Sequence, residues 1–166
     1  MDLTIRKANL SDAAAMAEIH MRSWEVAYDG IIPVEAIAER NAKRPAVWQN
    51  ILSNEHDNYI ALLEEVPVGM MGVIPSRDDD MAEAGEVGAI YLHPSYFGRG
   101  IGCEMMNFAE KTLKENGCNI IILWVLEENM RARKFYEKCG YAFDGTKKEL
   151  IIGKPLIEIR YRKDLI

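Results

Sequence analysis

The chain is poor in the residues that staple or anchor a protein. It has three cysteines and three histidines in 166 residues. Cys103, Cys118 and Cys139 are odd in number, far apart and without histidines at ligand spacing, so neither a disulfide framework nor a metal site is indicated. They read as free thiols in or near the core. No apolar run approaches the ~18 residues that would mark a membrane span. The start, Met1-Asp2-Leu3-Thr4-Ile5-Arg6-Lys7, has no apolar stretch of the secretory kind, so a cytosolic protein without membrane contact is expected. An excess of positive charge is also missing. The net charge is −6, which argues against a nucleic-acid partner. Repeats and low-complexity segments are absent.

What is present fits one domain, residues 1–166, with 49% hydrophobic and 28% charged residues. The charge is unevenly spread. Residues 1–92 hold 7 Lys/Arg against 16 Asp/Glu, and residues 93–166 hold 13 against 10. Either this division is surface solubility, or an anionic cofactor meets the basic half and a cationic substrate the acidic one.

Periodicity gives the elements. Residues 3–8 read as a strand, followed by a helix capped by Asn9 or Ser11 with Ala13, Met16, Ala17, His20, Trp24 and Ala27 on its apolar stripe. A lone histidine on such a stripe is more often a satisfied core residue than a catalyst. Helical signal then runs discontinuously from Pro33 to about Ser53. Tyr59–Glu64 and Val68–Ile74 form a hairpin around Glu65-Val66-Pro67, and Ser76–Glu83 is an acidic loop. Gly85–Leu92 is a strand, Ile101–Asn116 a helix and Asn119–Leu126 a buried strand, which implies a right-handed parallel crossover. A helix over Met130–Cys139 and a hairpin around Gly153-Lys154-Pro155 complete the chain.

The segment with the most chemical content is Leu92-His-Pro-Ser-Tyr-Phe-Gly-Arg-Gly-Ile-Gly102. It carries a strand through a proline into a glycine-rich helix start, where backbone N–H groups and the helix dipole can hold a pyrophosphate. A P-loop is excluded because Gly102 is followed by Cys103-Glu104 rather than Lys-Ser/Thr. A dinucleotide fold is a weak match: Glu127 stands where a ribose-binding acid could sit, but the spacing is G-x-G-x-G. Downstream, Asn129, Arg133 and Tyr136 recur on one helical face.

Together, Glu86 on its strand, the Pro94 junction, Gly98-Arg99-Gly100-Ile101-Gly102, Asn129, Phe135-Tyr136 and Gly140-Tyr141 resemble the GNAT superfamily of acyl-CoA-dependent N-acyltransferases. The match is close over residues 84–141 and extends more loosely to Arg6-Lys7-Ala8, Asp12, Ser23-Trp24 and Ala27–Pro33. One departure is Phe97, where the family usually has Gln or Arg. The resemblance implies an α/β (α+β) domain with a mixed, mostly antiparallel sheet of about seven strands, helices on both faces and a parallel strand pair that splays apart. It also implies acetyl-CoA as cofactor and an N-acetyltransferase activity on a primary amine, either a small molecule or a peptide, with a homodimer possible.

The resemblance also assigns residues. The backbone of Ile90, Tyr91 and Leu92 would meet the pantetheine arm. Phe97, Gly98, Arg99, Gly100, Ile101, Gly102 and Cys103 would hold the pyrophosphate, with Arg99 on a phosphate, Asn129 on the pantetheine or beside Tyr136, and Arg133 at the rim. Glu86 would act as base through water, since an amine with a pKa near ~10.4 must lose a proton before it attacks. Tyr136 would protonate the leaving thiolate, and a strand N–H freed by a bulge would stabilise the oxyanion. Direct transfer gives Cys103 no nucleophilic role. Trp24 and Tyr28 could wall the acceptor site, and Asp78, Asp79, Asp80 and Glu83 could attract a cationic acceptor or simply be a solvated loop. A non-catalytic acyl-CoA sensor and a protein Lys or N-terminal acetyltransferase are the alternative functions.

Overall fold

The computed structural model describes residues 2–166. In chain order the elements are β1 (Leu3–Lys7), α1 (Ala13–Ala27), α2 (Val34–Leu52), β2 (Asn58–Leu63), β3 (Val66–Pro75), β4 (Gly85–Leu92), α3 (Ile101–Glu115), β5 (Ile120–Leu126), α4 (Met130–Lys138), β6 (Ala142–Ile151) and β7 (Pro155–Asp164). The strands form one seven-stranded sheet in the order β1-β2-β3-β4-β5-β7-β6. All neighbours are antiparallel except β4 and β5.

Alternation along the central strands divides the core in two. Ala61 and Met71 point to the α3 side with Met105, Met106, Ala109 and Leu113, whereas Ile60 and Met70 point to the α1 side with Met16, Ala17, Ile19 and Trp48. Each of the larger side chains among them, such as Met105 or Ile60, stabilises the fold by roughly 1.5–3 kcal/mol relative to exposure. The helices therefore cover both faces of the sheet.

Three elements differ locally from their expected form. Asn9 is the cap, accepting from the N–H of Ser11, but it opens a 3-10 turn over Leu10–Asp12 that runs on into α1. Arg6 holds Asp12 in that turn through two bonds of 2.8 and 2.9 Å. The helical signal after Pro33 is one continuous helix that carries Pro45 inside it, because burial of Ile37, Trp48 and Leu52 outweighs the loss of one backbone bond. The β2–β3 turn is Glu64-Glu65, with φ of 50° and 66°, a primed two-residue turn that starts β3 at Val66.

The acidic loop is held by charge. Arg160 on β7 is 3% exposed and bonds to Asp78, Asp80 and Asp144 at 3.0, 2.7 and 2.6 Å. An irregularity in the β6–β7 ladder between Phe143 and Lys147 brings Asp144 and Thr146 onto this guanidinium. The bonds to Asp80 and Asp78, with Asp144 after them, raise the Arg160 pKa far beyond its ordinary value.

His20 is a core residue. Its Nδ1 accepts from Trp48 Nε1 at 3.1 Å, and its ring stacks on Tyr91 with centroids 4.5 Å apart. Burial, with the nearby Arg44 charge, pushes its pKa down to about 3. Below the unfolded value near ~6.5 the unfolded chain binds a proton that the folded chain refuses, so stability falls as pH drops. Between pH 6.5 and 5 this amounts to roughly 2 kcal/mol, and His20→Gln flattens that part of a urea-denaturation pH profile. In the same assay at pH 7, Arg160→Met destabilises by about 3–5 kcal/mol, because it strands carboxylates gathered around a buried cation.

Candidate active site

The parallel pair β4–β5 is short. Gly85 pairs with Ile121 and Glu86 with Ile122, after which the strands part while each continues. The gap is a cleft of ≈ 530 Å³, lined along β4 from Glu86 to Leu92 and along β5 by Trp124, Val125 and Leu126. The N–H of His93 bonds to Val68 O on the β3 side. Since N–H groups alternate between the edges of a strand, those of Ile90 and Leu92 turn away from β3 into the cleft.

β4 carries one further irregularity. Gly72 pairs with Ala89 and Val73 with Val87, so Gly88 is an extra residue without a partner on β3. It lines the cleft. A β4 bulge of the kind needed to free an N–H is therefore present.

At one end of the cleft, Phe97, Gly98, Gly100, Ile101, Gly102 and Cys103 form the wall. Gly98 and Gly100 have φ of +76° and +82°, and a Cβ on either would meet open space. Gly is required there by backbone conformation. The N-terminus of α3 has no side-chain cap; the Cys103 N–H bonds back to Gly100 O at 3.1 Å, while those of Ile101 and Gly102 have no backbone partner among the described residues and stand with the positive end of the helix dipole at the cleft wall. A Cβ on Gly102 would lie 3.1 Å from the Phe135 ring, so the absent side chain lets α4 pack against α3. Arg131 lies over the Phe97 ring, 3.8 Å from its centroid, and lines this end together with Lys138. An uncapped helix start, glycine-shaped and flanked by two cations, fits a pyrophosphate.

Two groups with acid–base chemistry also line the cleft. Glu86 is 1% exposed, and its carboxylate accepts from Arg77 Nη2 at 2.6 Å and from the Arg77 backbone N–H at 3.2 Å. Tyr136 on α4 lies between Phe135 and Tyr141, and no hydrogen bond engages its hydroxyl among the described residues. Burial, then the phenol of Tyr91 and the thiol of Cys139, hold its pKa well above the ordinary tyrosine value. Tyr28 is displaced the same way by burial, with Tyr91 and Tyr136 as its neighbours.

The other expected site residues divide between the cleft and its surroundings. Arg133 turns from the cleft to Tyr161 Oη and the Glu127 carbonyl, at 3.1 and 2.9 Å, and so braces α4 against β7. Arg99 folds back onto Ser95 O and the Tyr96 ring. Asp78 and Asp80 are taken by Arg160, and Asp79 is in the same short turn outside the cleft. Asn129 lines the cleft while its Oδ1 caps α4 by accepting from the Ala132 N–H at 3.2 Å. Trp24, Tyr28 and Tyr91 line the opposite end. Arg40, Arg77, Lys148, Glu158 and Arg131 line the cleft without a signal in the sequence, because each is a charged residue on an otherwise ordinary helix, loop or strand.

Comparison with known proteins agrees with this geometry. The family model for the acetyltransferase (GNAT) family matches residues 13–141. A spermidine N(1)-acetyltransferase of Thermoplasma acidophilum is 27% identical over 150 residues, covering 88% of this chain and 92% of that protein. An uncharacterized N-acetyltransferase of Bacillus subtilis, YuaI, is 28% identical over 129 residues, covering 76% and 73%. The crystal structure of the PaiA N-acetyltransferase from T. acidophilum in complex with coenzyme A superposes with a TM-score of 0.80 at 25% identity, covering 99% of both chains. The chain belongs to the GNAT family of acetyltransferases. It is an N-acetyltransferase that uses acetyl-CoA. No described helix is long and apolar enough to cross a membrane.

Gly100→Val tests the loop. A β-branched residue in the left-handed region costs about 1–2 kcal/mol in backbone strain and blocks close approach, so coenzyme A binding measured calorimetrically weakens roughly tenfold or more.

Proposed function

We propose that the protein transfers the acetyl group of acetyl-CoA to a primary amine by direct attack, with Glu86 as base through water and Tyr136 as acid. The observation that carries this reading is that both groups line the same cleft as the uncapped, glycine-shaped start of α3. When bound, acetyl-CoA supplies a thioester carbonyl open to an amine nucleophile. The inward N–H groups of Ile90 and Leu92 and the backbone from Phe97 to Cys103 hold and orient it.

Glu86 has room for the role assigned to it. A carboxylate accepts about four hydrogen bonds, and the guanidinium and N–H of Arg77 leave capacity for a water while fixing the orientation of the group. The bulge at Gly88 supplies a backbone donor where negative charge develops on oxygen. Tyr136, displaced upward, holds its proton at neutral pH and so stands as a hydrogen-bond and proton donor to the leaving sulfur. Asn129 fixes the start of α4 and so the placement of Tyr136. The acceptor enters at the end walled by Trp24 and Tyr28. A cytosolic location and a small-molecule or peptide amine complete the reading.

Glu86→Gln and Tyr136→Phe each lower kcat by about 10²–10⁴, the usual worth of a placed acid or base, and leave coenzyme A affinity within a few-fold, as thiol release and calorimetry report. Turnover unchanged in both variants would remove both roles and leave the base and acid to other groups of the cleft.

A further inference from the structure

The end of the cleft away from the α3 loop is also basic. Arg40 lines it, and Arg44, one turn further along α2, stacks over Trp24 with its Cζ 4.4 Å from the ring centroid. Arg40 Cζ is 5.9 Å from the same centroid. No acidic residue among those described pairs with either guanidinium. The carboxylates that line the cleft are already committed: Glu86 to Arg77, and Glu158 to Lys148 at 3.2 Å.

Around these arginines the buried side-chain polar atoms without a partner are nearly all donors. Arg44 Nε, Arg44 Nη2, Trp24 Nε1 and His20 Nε2 are buried without a hydrogen-bond partner. Because His20 Nδ1 accepts from Trp48, its Nε2 carries the proton. Asn41 Oδ1 is the one orphaned acceptor on α1 and α2 among the described residues. The cluster is local: the Arg44 charge lowers the His20 pKa, and the phenols of Tyr91 and Tyr28 act on Arg44. Burial, first, and the like charge of Arg40 depress the Arg44 pKa. Two adjacent cations and several buried donors without an acceptor are costly unless an anion completes them.

We propose that the acceptor of this enzyme carries a carboxylate as well as its amine, and that Arg40 and Arg44, backed by the indole of Trp24, bind that carboxylate. The inference rests on the acetyltransferase reading above and names its substrate class: an amino acid or similar carboxylated primary amine, in place of a polyamine. A guanidinium fork matches the two oxygens of a carboxylate, and a polyamine would bring positive charge against both arginines. Asp78 and Asp80 do not offset this, since Arg160 already holds them. Arg40 and Arg44 are binding residues in this account, with no part in proton transfer.

The test measures kcat/KM with acetyl-CoA for the L-amino acids, their α-carboxamides, spermidine and spermine, with melting temperatures taken in saturating coenzyme A. The preferred acid exceeds its own amide by a hundredfold or more and raises the melting temperature where the amide does not. In Arg40→Gln and Arg44→Gln that preference falls at least tenfold, through KM, while coenzyme A affinity is kept. Arg40→Lys recovers part of it. Because Arg40 is exposed, its variants fold even if Arg44→Gln does not. Amides or polyamines used as well as acids, acid preference surviving in Arg40→Gln, or no acid either acetylated or stabilising beyond its amide would each overturn the proposal and leave the acetyltransferase reading standing. Failure to bind acetyl-CoA at all would overturn both.

Discussion

The parting of β4 from β5 is the constraint on which the rest of the structure depends. A parallel pair that stayed in register would satisfy its own N–H and C=O groups and leave no cleft in the middle of the sheet. Here pairing ends after Glu86 and Ile122, and the β4 edge from Ile90 to Leu92 is left to bond with something else. β3 holds the opposite edge of β4, and β7 holds the far edge of β5 along its whole length. Each half of the sheet is thus paired on its outer side, and the opening between them is part of the sheet itself.

Charge placement then gives the cleft its polarity. At the α3 end an uncapped helix start and two cations face inward. In the middle, Glu86 is buried but tied to Arg77, and at the far end Arg40 lines the cleft, with Arg44 behind it on the Trp24 ring, neither paired with a carboxylate among the described residues. Several of the acidic residues that dominate the first half of the sequence are spent elsewhere: Asp12 on Arg6, Asp78 and Asp80 on Arg160. Net charge by segment therefore misstates the field in the site, since it counts paired and unpaired groups alike.

Much of this was legible in the sequence where local chemistry decides the outcome. Alternation and helical spacing located the strands and helices, and the glycine spacing after Pro94 marked the loop because only glycine takes the left-handed conformation freely. Placement of long charged side chains was not legible. Asn129, Arg133 and Tyr136 share a helical face by spacing, yet Arg133 sits beside Tyr161 and Glu127, a choice made by partners 28 and 6 residues away. The fate of Asp78 was set by Arg160, 82 residues further on. Pairings of that separation are properties of the fold, invisible to a window along the chain. The β4 bulge was foreseen only as a requirement, and its residue, Gly88, emerges from the register with β3.

The opened edge of β4 is the proposed seat of coenzyme A. Residue-resolved amide hydrogen exchange with and without coenzyme A tests it most directly. Slowed exchange at Ile90, Leu92 and the Gly98–Cys103 loop, with β1 and β2 unchanged, is the predicted result. Unaltered exchange along β4 and the loop under saturating coenzyme A, with protection appearing elsewhere, would contradict it.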